Sequence, residues 1–113
     1  MHELSVALGI VKIAENVIEK EKAKSVELIE LEIGSLAGIE FESLDFVWPA
    51  AVKNTVLECA IKKINITKGK AKCVDCDTVF NINHLYDSCP NCKSNFKGIL
   101  QGKELRVKAL EIV

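Results

Sequence analysis

Cys73-Val74-Asp75-Cys76 and, twelve residues later, Cys89-Pro90-Asn91-Cys92 form the stretch on which the organisation of this chain turns. Each Cys-x-x-Cys makes a tight turn that aims two sulfurs at one point. Two such turns close a tetrahedron of thiolates about 2.3 Å from a metal, the ligand set of a structural zinc site. Four protein ligands leave no coordination position for a substrate, so the zinc expected here is structural and not catalytic. Two disulfides are the rival reading. No secretion signal is visible, a fifth cysteine (Cys59) would stay unpaired, and thiols inside a cell stay reduced. A redox Cys-x-x-Cys is usually single and opens a helix after a strand, whereas Pro90 sits inside the second pair.

A chain of 113 residues has room for one compact domain and a small metal-held module. Hydrophobic residues make up 49% and aromatics 5%, so a core is affordable but aromatic packing is sparse. The formal net charge of −1 exerts no global pull toward nucleic acid or an anionic membrane. Lys68, Lys70, Lys72, Lys93 and Lys97 cluster around the cysteines, where a zinc tetrathiolate of formal charge about −2 gives them something to offset. The apolar start follows Glu3, not a basic region, and is interrupted by Lys12 and Glu15; no targeting segment is expected. No apolar run approaches bilayer-spanning length. The expectation is a soluble, cytoplasmic protein.

Hydrophobic periodicity supplies the elements. Residues 3–22 carry polar Ser5, Gly9, Lys12, Asn16 and Glu19 in one narrow helical stripe, with Leu4, Val6, Leu8, Ile10, Val11, Ile13, Val17 and Ile18 elsewhere. Such a helix is expected to be packed on more than one side. Residues 26–33 switch to period two, with Ile29, Leu31 and Ile33 opposite Leu28, Glu30 and Glu32, which predicts a strand ended by Gly34. A second helix is expected from Phe41 to Val56, kinked or split at Pro49, which cannot donate to the carbonyl of Asp45. Residues 60–67 and 104–113 read as further strands, with Leu110 suggesting a bulge or change of partner in the last. The expected fold is α/β: a small three-stranded sheet with two helices in residues 1–69 and 102–113, and a zinc-ribbon module inserted as residues 70–101.

The N-terminus holds a second set of donors. The terminal amine of Met1, the amide nitrogen of His2 and its imidazole can bind one cation together through five- and six-membered chelate rings. Deprotonating a backbone amide requires a metal that gains strongly from in-plane nitrogen, which points to nickel(II) or copper(II). A histidine at position two leaves a fourth in-plane position open, which suits a carrier that must release its metal. Methionine is expected to be retained before so bulky a second residue. Taken alone, a histidine next to an initiator methionine is more often a frayed, solvated residue.

Met1-His2-Glu3 opening a helix, the Cys-x-x-Cys…Cys-Pro-x-Cys module, Leu31-Glu32-Ile33-Gly34 and the closing run from Gly102 to Glu111 together resemble the hydrogenase nickel-incorporation (HypA/HybF) family. The order of elements is similar over essentially the whole length. The resemblance implies a nickel metallochaperone for [NiFe]-hydrogenase maturation, and in some lineages for urease. It implies nickel held at the N-terminus by His2, zinc held by Cys73, Cys76, Cys89 and Cys92, and transfer with a maturation GTPase. Its implied partners are that GTPase, the hydrogenase large subunit and urease maturation proteins. Neither nucleic acid nor membrane is implied, and monomer and homodimer stay open. Glu3 matches a family glutamate linked to partner choice and the nickel neighbourhood, and is not expected to be a direct ligand.

Two residues and two competing readings remain. His84, among Asn81, Asn83 and Asp87, is expected to be an exposed loop histidine in preference to an extra nickel donor. Cys59 is expected to be a small core residue, since no base or oxyanion site accompanies it. A zinc-ribbon module for nucleic acid or protein interaction would need a basic, aromatic-bearing face. Phe80, Tyr86 and Phe96 are instead expected to pack around the metal core. An enzyme is not expected: the zinc site is closed, and neither a Gly-rich phosphate loop nor a pair of catalytic carboxylates is present.

Overall fold

The computed structural model describes residues 2–113. Its elements run α1 (Glu3–Glu21), β1 (Val26–Gly34), α2 (Phe41–Val52), β2 (Ile61–Thr67), β3 (Gly69–Cys73), β4 (Val79–Ile82), β5 (Lys97–Gln101) and β6 (Leu105–Ile112). The strands form two three-stranded sheets, in the orders β2-β1-β6 and β4-β3-β5. The chain divides into two compact units. One holds the residues up to Leu31, Ile39–Asn65 and Arg106–Val113; the other holds Glu32–Gly38 and Ile66–Leu105.

In the first unit, α1 starts with the Val6 N–H donating to the His2 carbonyl at 2.9 Å. It ends where Lys22 turns left-handed at φ 55° and the Ala23 N–H reaches back to the Ile18 carbonyl, a C-cap that satisfies one of the otherwise orphaned carbonyls. One face of α1 is buried, through Ala7, Ile10, Val11, Ala14 and Ile18, and α1 packs on α2. The expectation of burial on more than one side does not hold: Leu4, Leu8 and Ile13 are each about half exposed. Those positions lie at the margins of the stripe, so apolar identity overstated the width of the covered face.

Helix α2 buries Leu44, Trp48, Ala51 and Val52. Pro49 does not split it: α2 runs unbroken from Phe41 to Val52, with Pro49 in its last turn. Lys62 from β2 pairs with Asp45 and lies 5.0 Å from the Trp48 ring centroid, a cation–π contact. The central strand β1 alternates as its sequence requires, with Ile29, Leu31 and Ile33 buried and Glu30 half-buried. Fully burying one such aliphatic side chain contributes about 1.5–3 kcal/mol. Glu30 accepts from Asn65 Nδ2 at 2.6 Å and lies 3.7 Å from Lys63 Nζ. The strand β6 runs from Leu105 to Ile112, and its half-buried positions, Val107, Leu110 and Ile112, change phase at Leu110. Cys59 is exposed in the turn before β2 and is not a core residue. Leu57, two residues earlier, fills that role instead, at 0% exposure.

In the second unit, β3 pairs antiparallel with both neighbours: Ala71 faces Phe80 on β4 and Ile99 on β5, and Cys73 faces Lys97. A bulge separates Lys70 from Ala71 in the β5 pairing, placing Leu100 as the extra residue. Ala71, Cys73, Phe80, Ile82 and Cys89 form the core, with Leu36, Cys76 and Ile99 against it. Phe80 thus packs as expected, whereas Tyr86 and Phe96 are largely exposed.

Three glycines make a close backbone crossing at the base of this unit. A Cβ on Gly34 would lie 1.9 Å from the Gly102 carbonyl oxygen, and one on Gly102, at φ +119°, would lie 2.7 Å from the Gly69 Cα. Side chains cannot enter there. The crossing is tied by hydrogen bonds from the Gly34 N–H to the Glu104 carbonyl (2.7 Å), from the Leu36 N–H to the Gly102 carbonyl (2.7 Å) and from the Gly69 N–H to Ser35 Oγ (3.0 Å). Glu104 adds its own carboxylate, which accepts the Gly102 N–H at 2.8 Å.

Candidate metal centre

The two Cys-x-x-Cys turns fold as copies of one another. In the first, the Cys73 N–H donates to the Thr78 carbonyl (2.9 Å) and the Asp77 N–H to the Cys73 carbonyl (3.0 Å). In the second, the Cys89 N–H donates to the Ser94 carbonyl (2.9 Å) and the Lys93 N–H to the Cys89 carbonyl (2.8 Å). In each, the residue four after the first cysteine is left-handed: Asp77 at φ 62° and Lys93 at φ 65°. That conformation reverses the chain so that both sulfurs of a pair lie on the inside of the turn.

The four sulfurs of Cys73, Cys76, Cys89 and Cys92 lie within 4.8 Å of one another. Cys73 Sγ is 3.5 Å from Cys92 Sγ, and Cys76 Sγ is 3.7 Å from Cys89 Sγ. A tetrahedron with metal–sulfur bonds of about 2.3 Å has edges of about 3.8 Å, so the donor set fits a single tetrahedral ion. It does not fit two disulfides, since all four thiols stand free at separations far beyond an S–S bond of about 2.05 Å. Cys73 and Cys89 have no solvent exposure, whereas Cys76 is half-buried and Cys92 exposed.

Hydrogen bonding to one sulfur completes the centre. Thr78 Oγ1 lies 3.1 Å from Cys76 Sγ, and Asn91 Nδ2 lies 3.6 Å from the same sulfur and 3.4 Å from Thr78 Oγ1. The Thr78 hydroxyl, then its backbone amide, then Asn91 draw the Cys76 thiol down to about 6. At Cys92 the Ser94 backbone amide pulls downward, but the hydrogen bond with Cys73, burial, and the bonds with Cys76 and Cys89 push the thiol up to about 12. Four sulfurs this close repel one another once ionised, and a divalent cation among them is the chemistry that relieves the repulsion. Thr78 and Asn91 were not singled out from the sequence. Their only signal is position, one residue from the left-handed Asp77 and inside the second Cys-x-x-Cys.

At the start of the chain, Met1 lies outside the described residues. His2 is exposed and does not cap the helix with its side chain. Glu3 is buried, at 7% exposure, and its carboxylate accepts the Glu40 N–H at 3.2 Å. That hydrogen bond at the first turn of α2 holds the carboxyl below the ordinary carboxylate range, as expected of an anion at a helix N-terminus. Glu3 therefore fixes where His2 stands, and its carboxylate is directed to a backbone amide. His84 is exposed, as expected. Its ring stacks on Tyr86 with centroids 4.7 Å apart, and Asp87 accepts the Asn83 and His84 amides at 2.8 and 3.1 Å. Among the described residues, the four cysteines are the one grouping of three or more His, Cys, Asp or Glu donors able to hold a metal.

A family model described as hydrogenase/urease nickel incorporation, metallochaperone, HypA matches residues 1–112. The chain belongs to the HypA family. Similar proteins include the hydrogenase maturation factor HypA of Parabacteroides distasonis, 44% identical over 112 residues covering 99% of this chain and 97% of the relative. That of Azotobacter vinelandii is 41% identical over 112 residues, covering 99% of both. The fold matches the solution structure of the Ni metallochaperone HypA from Helicobacter pylori with a TM-score of 0.71 and 29% identity, covering 100% of this chain and 98% of that one. Membership of this family makes the chain a hydrogenase maturation factor of the nickel metallochaperone kind. No helix among the described residues is long and apolar enough to cross a membrane.

Proposed function

We propose that the chain carries nickel(II) at its N-terminus, through the Met1 amine, the His2 amide nitrogen and the His2 imidazole, and delivers it during maturation of [NiFe]-hydrogenase, with urease as a second acceptor. The observation that carries the reading is the match of a nickel-incorporation family over residues 1–112. The geometry of residue 2 supports it. The His2 residue is exposed, while the chain that follows it is held, by the His2 carbonyl accepting from Val6 and by Glu3 bonding to the start of α2. An accessible donor on an anchored backbone suits capture and release.

Nickel is cargo, so the site needs an open side. Three consecutive nitrogens leave one in-plane position for a group from the acceptor, and exchange there lets nickel leave stepwise. The acceptors in this reading are the maturation GTPase and the hydrogenase large subunit, and no catalytic step is assigned to this chain. Cys73, Cys76, Cys89 and Cys92 would hold zinc, which supplies folding free energy to the ribbon of residues 70–101 and no chemistry.

A nickel titration of zinc-loaded protein with its native, untagged N-terminus tests this reading, run beside His2→Ala and a version bearing a short N-terminal extension. The expected result is one nickel for the native chain and none for either variant, with zinc retained in all three. Equal binding by all three, or by none, rejects the N-terminal site.

A further inference from the structure

The ribbon sheet has a second face that its core does not use. Side chains alternate along β3, so Ala71 and Cys73 enter the core while Lys70 and Lys72 point away from it. The register carries this across the sheet: Lys72 lies opposite Val79 on β4 and Gly98 on β5. One step further the Val74 N–H donates to the Phe96 carbonyl at 2.9 Å, which brings those two residues to the same face. Lys70, Lys72, Val74, Val79, Phe96 and Leu100 thus form a contiguous surface. All six are exposed, Phe96 at 71%. A Cβ on Gly98 would meet nothing within 4 Å, so packing does not demand glycine there. The Gly98 position opposite Lys72 is open space on this face, between Phe96 and Leu100 in the chain.

Charge decides what fits this surface. Its centre carries two lysines two residues apart on one strand, and the paired positions are Val79, Asn81, Gly98 and Gln101, without a carboxylate among them. Three of the unit's five acids have hydrogen-bond partners of their own: Asp75 accepts from Ser94, Asp87 from the Asn83 and His84 amides and Glu104 from Gly102. Nucleic acid is a poor fit. The unit has six lysines against five carboxylates, and a metal tetrathiolate adds a formal charge of about −2, so the broad positive field that gathers phosphates is missing. Exposed aromatic and aliphatic side chains around a small cationic centre match a protein surface that presents carboxylates among apolar groups.

We propose that this face of the ribbon sheet docks an acidic protein partner, the one with which nickel is exchanged. The choice of partner rests on the carrier reading given above; the face itself does not. Phe96 and Leu100 are the apolar anchors, and Lys70 and Lys72 set orientation and encounter rate.

Binding of the purified maturation GTPase and of the hydrogenase large subunit to the full zinc-loaded chain, measured by calorimetry at low and high salt, tests the proposal. The variants are Gly98→Glu, the double change Lys70→Glu with Lys72→Glu, and Phe96→Ser, with His2→Ala as the control. Gly98→Glu adds a charged side chain to the face at a position where a Cβ meets nothing. The expected result is binding to at least one of the two proteins, weakened about tenfold or more by each face variant and by raised salt. Zinc content, nickel uptake and monomer mass stay as in the parent chain, and His2→Ala loses nickel but keeps docking. Nickel uptake by His2→Ala would reject the carrier reading and leave the docking result to stand by itself. Unchanged affinity in the face variants, or no binding of either protein to the parent chain, overturns the proposal. So does a labelled single-stranded oligonucleotide that binds through the same lysines, or a dimer of this chain that the face variants dissolve.

Discussion

The four-sulfur centre and the N-terminal histidine place metal donors in opposite settings. At the centre, two sulfurs have no solvent exposure, two turns are repeated bond for bond, and Thr78 and Asn91 hydrogen-bond Cys76 from outside the ligand set. At the N-terminus, His2 is exposed, and what is fixed is the backbone beside it, through Glu3 and Glu40. A metal held by four converging thiolates contributes to folding and leaves slowly. One held by an exposed imidazole and nitrogens of the chain start can be passed on. On the proposed reading, the contrast places the buried polar contacts where a metal would stay, and only a positional anchor where nickel would leave.

Removing a buried sulfur is the largest way to break the contrast. Cys89→Ser leaves three thiolates and a hydroxyl in the core of the second unit, and zinc contributes folding energy outright in such modules. The variant should lose stoichiometric zinc and the dispersed amide resonances of β3, β4 and β5, while N-terminal nickel uptake persists. Loss of nickel with the first unit's resonances intact would show that the two sites are coupled.

A smaller effect comes from the hydrogen bonds around Cys76. Thr78→Val removes the hydroxyl 3.1 Å from the sulfur at nearly constant shape. Changes to such supporting groups cost about 10–100-fold in metal affinity, so zinc should pass to a competing chelator at least about tenfold more readily. Nickel uptake should not change. An unaltered zinc affinity would mean that Thr78 is incidental. The smallest effect is a gain. Lys93 sits at φ 65°, a conformation costing a non-glycine residue about 1–2 kcal/mol, partly offset by glycine's larger entropy loss of about 0.5–1 kcal/mol. Lys93→Gly should therefore raise the thermal midpoint of the zinc-loaded ribbon slightly, read by melting at fixed metal concentration.

How much of this was legible in the sequence depended on how local each signal is. The cysteines were readable because a Cys-x-x-Cys turn is defined within four residues. Helix α1 and strand β1 were readable because each sustains its period over nine residues or more. The ribbon strands β3, β4 and β5 were not: they span only four or five residues each, too short for alternation to stand out. The bond from Glu3 to Glu40 links positions 37 apart, and nothing local marks it. Gly34 stood out as the end of a strand and Glu104 only as part of a family resemblance, and neither showed its contact with the other. The structure supplies their physical reason, a backbone crossing that excludes a Cβ at Gly34 and uses both the carbonyl and carboxylate of Glu104. Tyr86 and Phe96 were read as core because aromatics usually are. They are exposed because Phe80, Ile82 and the buried cysteines already fill so small an interior.

The central claim is that one metal resides among the sulfurs and another travels at the N-terminus. X-ray absorption at the zinc and nickel edges of the same doubly loaded sample tests it most directly. The account predicts a zinc shell of four sulfurs at about 2.3 Å and a nickel shell of nitrogen and oxygen with no sulfur. Sulfur in the nickel shell, or nitrogen replacing sulfur around zinc, would contradict it.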